Sequence, residues 1–296
     1  MIGNLGKILR NAVIVLIAAS ASATAEPGLW VVEGPHATVY LFGTIHVLHK
    51  DQAWSSPDIA KALGSSQELW LEVSDPDDLT EVQALVKRYG FDQQHPLSTK
   101  VSEADLAHVD EAAKSVGVAD GEKTFEPMRP WLVSVTLADA MLIRAGYDPE
   151  SGVEHLLLHD DLTHGKPVHG FETLDQQIHF FADLAPALEV SLLKDALKDF
   201  DQGAGKLDAL VDAWSRGDDA AITRLVVDDM KTPFPQLYRT LFVQRNERWV
   251  NAITAMIKGS GVKFIAVGAG HLAGPDSVQN ALKRRGVRVE RVAATN

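Results

Sequence analysis

Residues Val39-Tyr-Leu-Phe-Gly-Thr-Ile-His46 run from an apolar, strand-like segment into a glycine and then a histidine. A near-copy of this ending returns late in the chain, as Phe264-Ile-Ala-Val-Gly-Ala-Gly-His271. In both copies the histidine stands three residues after the glycine, so each has the form G-x-x-H. One such ending is a weak signal. Two in the same context predict a single site assembled from both ends of the chain.

The hydrophobic pattern of the rest of the chain predicts the fold class. Apolar or alternating runs favour strands at 29–32, 37–42, 68–73, 167–172, 262–267 and 287–292. Helical patterns dominate between them, above all at about 79–165 and 174–235. This order predicts an α/β fold: one domain over residues 26–296, with a central mixed β-sheet, flanking helices and a large helical insertion.

Four polar residues fall at the predicted C-terminal ends of strands: His46, Glu72, Glu172 and His271. In α/β sheets, ligand sites gather beyond the carboxyl ends of the strands. Neutral imidazole and carboxylate groups suit Zn, Mn, Co or Fe, and a metal-bound water can attack a carbonyl group near neutral pH. Without a metal, the same groups can act as a general base and a charge stabiliser.

A predicted helix of about 236–258 places a cation on its apolar face. Residues on this face recur every four positions, namely Leu237, Leu241, Arg245, Trp249, Ile253 and Ile257. That spacing keeps them on one slowly drifting stripe. A buried cation is costly unless it is paired, so the pattern makes Arg245 a candidate site residue.

Other polar residues are weaker candidates. The segment from Gly152 to His164 is predicted to be one helix that carries His155, His159 and His164. It lacks the Glu of an H-E-x-x-H metal motif, so its histidines are expected on a solvated face. The acids Asp75, Asp77 and Asp78 are interpreted as turn and cap residues.

Composition narrows the class of protein. The 296 residues carry a net charge of −12 and no cysteine, so any metal must be held by His, Asp, Glu or Asn. Residues 1–25 combine Lys7 and Arg10, a short apolar run at 12–19 and small residues ending at Ala25. This pattern predicts a secretory signal peptide, with an uncleaved membrane anchor as the alternative.

Cleavage of that segment sets the expected location and partners. Removing it takes away two basic residues and no acid, which moves the net charge from −12 to −14. We therefore expect a secreted or periplasmic protein that starts near Glu26, with no stable membrane insertion after cleavage and no nucleic-acid partner.

Several spaced motifs resemble the TraB/PrgY/GumN family, which includes the Tiki membrane proteases. They cover most of the mature chain and are found at 41–46 (LFGTIH), 71–72 (LE), 152–155 (GVEH), 165–173 (GKPVHGFET), 176–177 (QQ), 245–246 (RN) and 267–272 (VGAGHL), with Gly274. The signal-bearing form is most similar to the GumN branch. The resemblance implies a fold related to the haem-binding ChaN and erythromycin esterase group.

The resemblance also implies metal-dependent peptide hydrolysis, as in the Tiki branch. The family's two G-x-x-H motifs, acidic residue and arginine match His46, His271, Glu72 and Arg245, with Asn246 beside the arginine. The family often has Gly-x-Asp where this chain has Gly-Val-Glu at 152–154, which leaves the role of the acid there open.

These observations and the resemblance together predict a metal-dependent hydrolase, and the leading interpretation is a peptidase. His46, Glu72 and His271 would bind a divalent metal (Mn, Co, Zn or Fe), while Arg245 and Asn246 orient the carboxylate or stabilise an oxyanion. Glu172 would either hold these groups in place without binding the metal itself or act as a general base. The alternatives are a metal-free esterase-like hydrolase and a non-catalytic envelope protein that binds a peptide, a pheromone-like ligand or a glycan.

Overall fold

A computed structural model of the chain describes residues 26–75, 78–118 and 120–294. The predicted signal peptide (1–25) and the turn acid Asp77 lie outside these residues. Six strands form one sheet in the order β4-β3-β5-β2-β1-β6. They are β1 (Leu29–Glu33), β2 (Ala37–Thr44), β3 (Glu68–Val73), β4 (Val168–Glu172), β5 (Gly261–Gly268) and β6 (Val289–Arg291).

The strand directions put four carboxyl ends at one edge of the sheet. β4, β3, β5 and β2 run parallel to one another. β1 pairs antiparallel with β2, as the Gly-Pro turn between them predicts, and β6 pairs antiparallel with β1. The sheet is therefore mixed, which confirms the α/β fold class; the relation to the ChaN group stays a prediction.

Helices fill the connections between the strands. Before β4 lie α1 (Pro57–Ser65), α2 (Leu79–Tyr89), α3 (Glu103–Ser115), α4 (Gly121–Phe125), α5 (Pro130–Arg144) and α6 (Val153–His159). Between β4 and β5 lie α7 (Leu174–Ala182), α8 (Pro186–Gln202), α9 (Gly205–Ser215), α10 (Asp219–Ile222), α11 (Asp229–Lys231), α12 (Pro235–Tyr238) and α13 (Gln244–Met256). α14 (Val278–Arg284) precedes β6, and short 3₁₀ turns lie at 97–99, 149–151 and 269–272.

The apolar residues of the strands alternate between two faces of the sheet. Phe42 of β2 and Phe264 of β5 enter one core, which also receives apolar residues of α1, α6 and α9. Leu41 and Ile265 enter the other, which is covered by α13 and α14. A third cluster joins α3, α5 and α8, so helices from before and after β4 pack together.

Two helix predictions need correction. The helix that starts at Val153 ends at His159, not near Gly165, so His164 does not share a helix with His155. Asp160 Oδ1 accepts from the backbone N of Leu162 at 2.7 Å, and Thr163 Oγ1 donates to the carbonyl of Leu157 at 2.7 Å. Side-chain bonds of this kind compete with helical hydrogen bonds and end the helix.

The second correction concerns the helix predicted at 236–258. It consists of α12, a π-helical turn at Arg239–Val243 and α13. Its stripe is nevertheless buried as predicted, since Leu237, Trp249 and Ile253 are at most 2% exposed. Another π-helical turn lies at Thr223–Asp228.

Polar side chains cap the first two helices, and the cap role predicted for Asp78 is confirmed. Ser56 caps α1, and Asp78 caps α2 by accepting from the backbone N of Glu81 at 2.9 Å. Within the part of the chain that the structure describes, no helix is both long and apolar enough to cross a bilayer.

Candidate functional site

A pocket of about 510 Å³ opens at the carboxyl edge of the parallel strands. His46, Glu72, Arg245 and His271 all line it, so both G-x-x-H motifs reach one pocket. Another pocket, of about 800 Å³, lies among α2, α5 and α8, and neither motif contributes to its lining. The chemistry predicted from the sequence therefore belongs to the smaller pocket.

The glycines of the two motifs have different roles. A Cβ on Gly43 would lie 3.2 Å from Cα of Ala269, so this glycine lets the second motif pack closely on the first. A Cβ on Gly268 would instead lie 3.3 Å from Oε1 of Glu72 and 3.7 Å from both Nε2 of His46 and Cδ2 of His271. The three candidate ligands thus surround the open side of Gly268.

Arg245 is the centre of a buried ion-pair network. Its side chain is only 8% exposed. Nε lies 3.0 Å from both carboxylate oxygens of Glu172, and Nη2 lies 2.5 Å from Oε2 of Glu72. The guanidinium also stacks near the rings of Trp249 and Phe180, at 4.8 and 5.1 Å from their centroids. The pairing predicted for this core-facing cation is therefore present.

Glu172 lies behind the pocket and does not line it. Its side chain is 2% exposed and also accepts from Nη2 of Arg248 at 3.1 Å. Two arginines occupy its oxygens, so the geometry favours the supporting role for Glu172 over that of a general base. It holds the guanidinium of Arg245 in place.

Glu72 is ionised because several groups oppose the cost of its burial. Burial by itself raises the pKa of Glu72, but Arg245, His271, His46 and the backbone N–H of Gly268 lower it to about 2. The Gly268 N–H donates to Oε1 at 2.9 Å, and Nε2 of Gln177 donates to Oε2 at 3.2 Å.

His271 is buried and neutral. Its Nε2 lies 3.0 Å from Nη1 of Arg245, which can only donate, so Nε2 accepts and the proton sits on Nδ1. Nδ1 donates to Oδ1 of Asn246 at 2.6 Å, and Nδ2 of Asn246 donates to the carbonyl of Asp276 at 2.8 Å. Burial and the charges of Arg245 and His46 lower the pKa of His271 to about 3, although Glu72 opposes this.

The side chain of His46 is exposed, and its imidazole is protonated at neutral pH when no metal is bound. Its side chain is 70% exposed, and Nδ1 lies 2.9 Å from Oε1 of Glu154. The negative charge of Glu154 raises the pKa of His46 to about 9. Thr44 also donates to Glu154. The ring is thereby oriented through Nδ1, while Nε2 is directed toward Gly268.

Glu154 reaches His46 because the start of α6 packs against the first motif. The backbone N of Val153 donates to the carbonyl of Ile45 at 2.9 Å. A Cβ on Gly152 would lie only 2.1 Å from the carbonyl O of His46, so the contact requires glycine there. The Gly-Val-Glu triplet at 152–154 was the signal for this residue, whose role the sequence left open.

Replacing Glu154 with glutamine is expected to lower the pKa of His46 from about 9 toward its ordinary 6.5, because the amide carries no charge. The folded wild type gains stability from this pair below about the ordinary pKa and loses it as pH rises through about 9. NMR titration of the His46 ring in chelator-treated protein measures the shift. His49→Ala is the control, and an unchanged His46 titration in Glu154→Gln would contradict the assignment.

Two further features were not predicted. Gln177 on α7 bridges the two acids, since its Nε2 lies 3.2 Å from Glu72 and 3.4 Å from Glu172. Both π-helical turns contribute to the pocket wall, through Val226 and Leu241, and such turns are frequent at functional sites. By contrast, the rings of His155 and His159 lie 4.3 Å apart on α6 and do not line the pocket.

Comparison with models of known protein families shows the family to which the chain belongs. A profile of the TraB/PrgY/gumN family matches residues 28–291, and the chain belongs to this family. An uncharacterized protein of Treponema pallidum (strain Nichols) is 22% identical over 273 residues, which cover 88% of this chain and 81% of that protein. No solved structure matches the chain significantly.

Proposed function

We propose that this TraB/PrgY/gumN family member is a hydrolase that cleaves peptide bonds with the help of a divalent metal ion. One observation carries the proposal: His46 Nε2, Glu72 Oε1 and the His271 ring surround the open side of Gly268 in one pocket. Residues 1–25 support a location outside the cytoplasm, and N-terminal sequencing of exported protein, expected to start near Glu26, tests that part.

The three side chains are of types that bind divalent metals. Both imidazoles are anchored through Nδ1, by Glu154 in one case and Asn246 in the other. This arrangement, in which an oxygen accepts from the far nitrogen, is the usual one for metal-bound histidines. Glu72 is ionised and adds an oxygen. His46, His271 and Glu72 would therefore hold the ion.

One contact opposes the fit. Nη1 of Arg245 lies 3.0 Å from Nε2 of His271, so this nitrogen must exchange its hydrogen bond before it can bind a metal. Among the described residues, no three His, Asp or Glu side chains are gathered closely enough to hold an ion as they stand. Arg245 retains its bonds to Glu172 and Leu241 when it gives up this contact.

A divalent metal supplies Lewis acidity and a water that loses its proton near neutral pH. The chain's own groups provide the rest. Arg245 lines the pocket as a fixed cation that can stabilise negative charge developing on a carbonyl oxygen. Asn246 fixes the ring of His271 through the hydrogen bond from Nδ1.

Metal analysis and peptide cleavage together test the proposal. Purified protein should bind Mn²⁺, Co²⁺ or Zn²⁺ by calorimetry, cleave members of a peptide library, and lose cleavage when a strong chelator is added. Re-addition of metal should restore it. Protein that binds none of these ions and cleaves no peptide would falsify the proposal.

Gly268→Ala is a steric test of the same site. Its Cβ would occupy the space between the three candidate ligands, so we expect metal affinity to fall about tenfold or more, a loss typical of disturbed ligand shells. The fold should be retained, because the backbone of Gly268 is not in a left-handed conformation. Gly64→Ala is the matched control, since its Cβ would meet only Cδ2 of Leu162 at 3.7 Å. Equal metal affinity in both variants would contradict the placement.

The contact between Arg245 and His271 favours a second candidate, a metal-free hydrolase. His46, oriented by Glu154, would then act as the base, because Nε2 of His271 is occupied. With its pKa raised to about 9, His46 would be a free base only in alkaline solution, so activity should rise with pH up to that range. Ester or peptide cleavage that survives chelation and follows this profile would select the second candidate.

A further inference from the structure

Asp139 on α5 lines the same pocket and has no charged or hydrogen-bonding partner among the described residues. The other acid that lines the pocket, Glu72, is paired with Arg245, and Glu154 next to the pocket is paired with His46. Asp139 is exposed, so a ligand in the pocket can reach its carboxylate. Loss of hydration in this surrounding raises the pKa of Asp139 above its ordinary value.

The pocket wall around Asp139 is apolar. Leu142 lies one helical turn further along α5 and lines the pocket on the same helix face. Further apolar residues of the wall come from α7, α9, α11 and the two π-helical turns, namely Phe180, Phe181, Leu207, Leu210, Val226, Met230, Leu241 and Phe242. The unpaired carboxylate of Asp139 is therefore surrounded by an apolar surface on which a hydrocarbon chain can pack.

This combination matches one kind of side chain. Lysine and arginine have a hydrocarbon stem that packs on apolar surface and a cationic head that reaches a polar group. An acidic side chain would be repelled by Asp139, and a neutral polar side chain could donate a hydrogen bond but would bring no opposite charge and a shorter apolar stem. The net charge of −12 also favours the approach of a basic ligand.

We propose that the pocket selects peptides with a lysine or arginine side chain, whose stem lies along the apolar wall and whose charged head pairs with Asp139. This selection rests on the proposed function in that it names the substrate class of the same site. It makes Asp139 a specificity residue, separate from the groups around Gly268.

Binding measurements test the selection without requiring turnover. Fluorescein-labelled alanine-rich hexapeptides carry Lys, Arg, norleucine, Gln or Glu at one central position, and fluorescence anisotropy gives their affinities for the full chain. Wild type should bind the Lys and Arg peptides about fivefold more tightly than the norleucine peptide, as expected for one partly hydrated ion pair. In Asp139→Asn this ratio should fall to near one, and Asp139→Lys should prefer the Glu peptide.

Glu247→Gln is the matched control, because it also neutralises one exposed helical acid but lies outside the pocket. It should keep the wild-type ratio. Equal affinity of wild type for the Lys and norleucine peptides, no binding of any of the peptides, or an unchanged ratio in Asp139→Asn would each overturn the selection. Selective binding without cleavage would support it while contradicting the hydrolase proposal, so the two failures are distinguishable.

Discussion

Replacing Arg245 with methionine is expected to lower the free energy of unfolding by about 3–5 kcal/mol, the loss seen when one partner of a buried ion pair is removed. The variant leaves the carboxylates of Glu72 and Glu172 buried, at 12% and 2% side-chain exposure, without their main counter-charge. Such a loss is a large part of a typical stability of about 5–15 kcal/mol. Urea unfolding at neutral pH measures it.

Arg248→Met provides the control for this prediction. Arg248 also pairs with Glu172, at 3.1 Å, but its side chain is 51% exposed. Because exposed ion pairs contribute about 0–1 kcal/mol, this variant should lose far less stability. Similar losses in the two variants would contradict the central role of Arg245.

The dependence of stability on pH provides a second test of the Arg245 prediction. The pKa of Glu72 is lowered from 4.5 to about 2 in the folded protein, so its contribution is present above pH 4.5 and is lost as pH falls toward 2. The stability gap between wild type and Arg245→Met should therefore narrow in that range. Adding Glu72→Gln and Glu172→Gln to Arg245→Met removes the uncompensated charges and should recover much of the stability without restoring activity.

The sheet is the part of the fold that residue patterns predict best. Alternation of Leu41 and Phe42 in β2, and of Phe264 and Ile265 in β5, follows from burial of both faces of the sheet. The π-helical turn at 239–243 was not predicted, although the spacing of the apolar residues in the sequence contains a sign of it. A spacing of four exceeds the 3.6 residues of an α-helical turn, and a wider turn reduces the resulting drift of the apolar stripe.

That the candidate residues lie in one pocket was predictable from the sequence, whereas their contacts were less so. Parallel strands bring their carboxyl ends to one edge, so His46, Glu72 and His271 were expected to lie together. The partner of His46 could not be predicted from the sequence. Glu154 is 108 residues away, and its contact with His46 depends on the packing of Gly152 against the first motif. The same holds for Asp139, since nothing in its local sequence marks it as part of a pocket wall.

The arrangement divides the site into a rigid part and an accessible part. Glu172, Arg245, Asn246 and His271 are buried and fully bonded to one another or to the backbone. His46 is exposed and is held by a single carboxylate. Variants in the first group should therefore change both stability and activity, whereas a change at His46 should lower activity at little cost in stability.

His46→Ala is accordingly expected to lower peptide cleavage about 10²–10⁴-fold, the range for loss of a positioned acid–base group, and a lost metal ligand would add to this. The stability cost should be about 1 kcal/mol or less, because the side chain is 70% exposed and its ion pair with Glu154 is partly hydrated. Initial rates on a cleaved library peptide, Mn²⁺ calorimetry and urea unfolding measure the three effects. His49→Ala, an exposed histidine three residues further along the same loop that stacks on Tyr147 at 4.1 Å, should leave cleavage and metal affinity unchanged. If His46→Ala and His49→Ala cleave and bind metal equally well, the first G-x-x-H motif does not belong to the reacting site and the chemistry must be assigned to the buried groups alone.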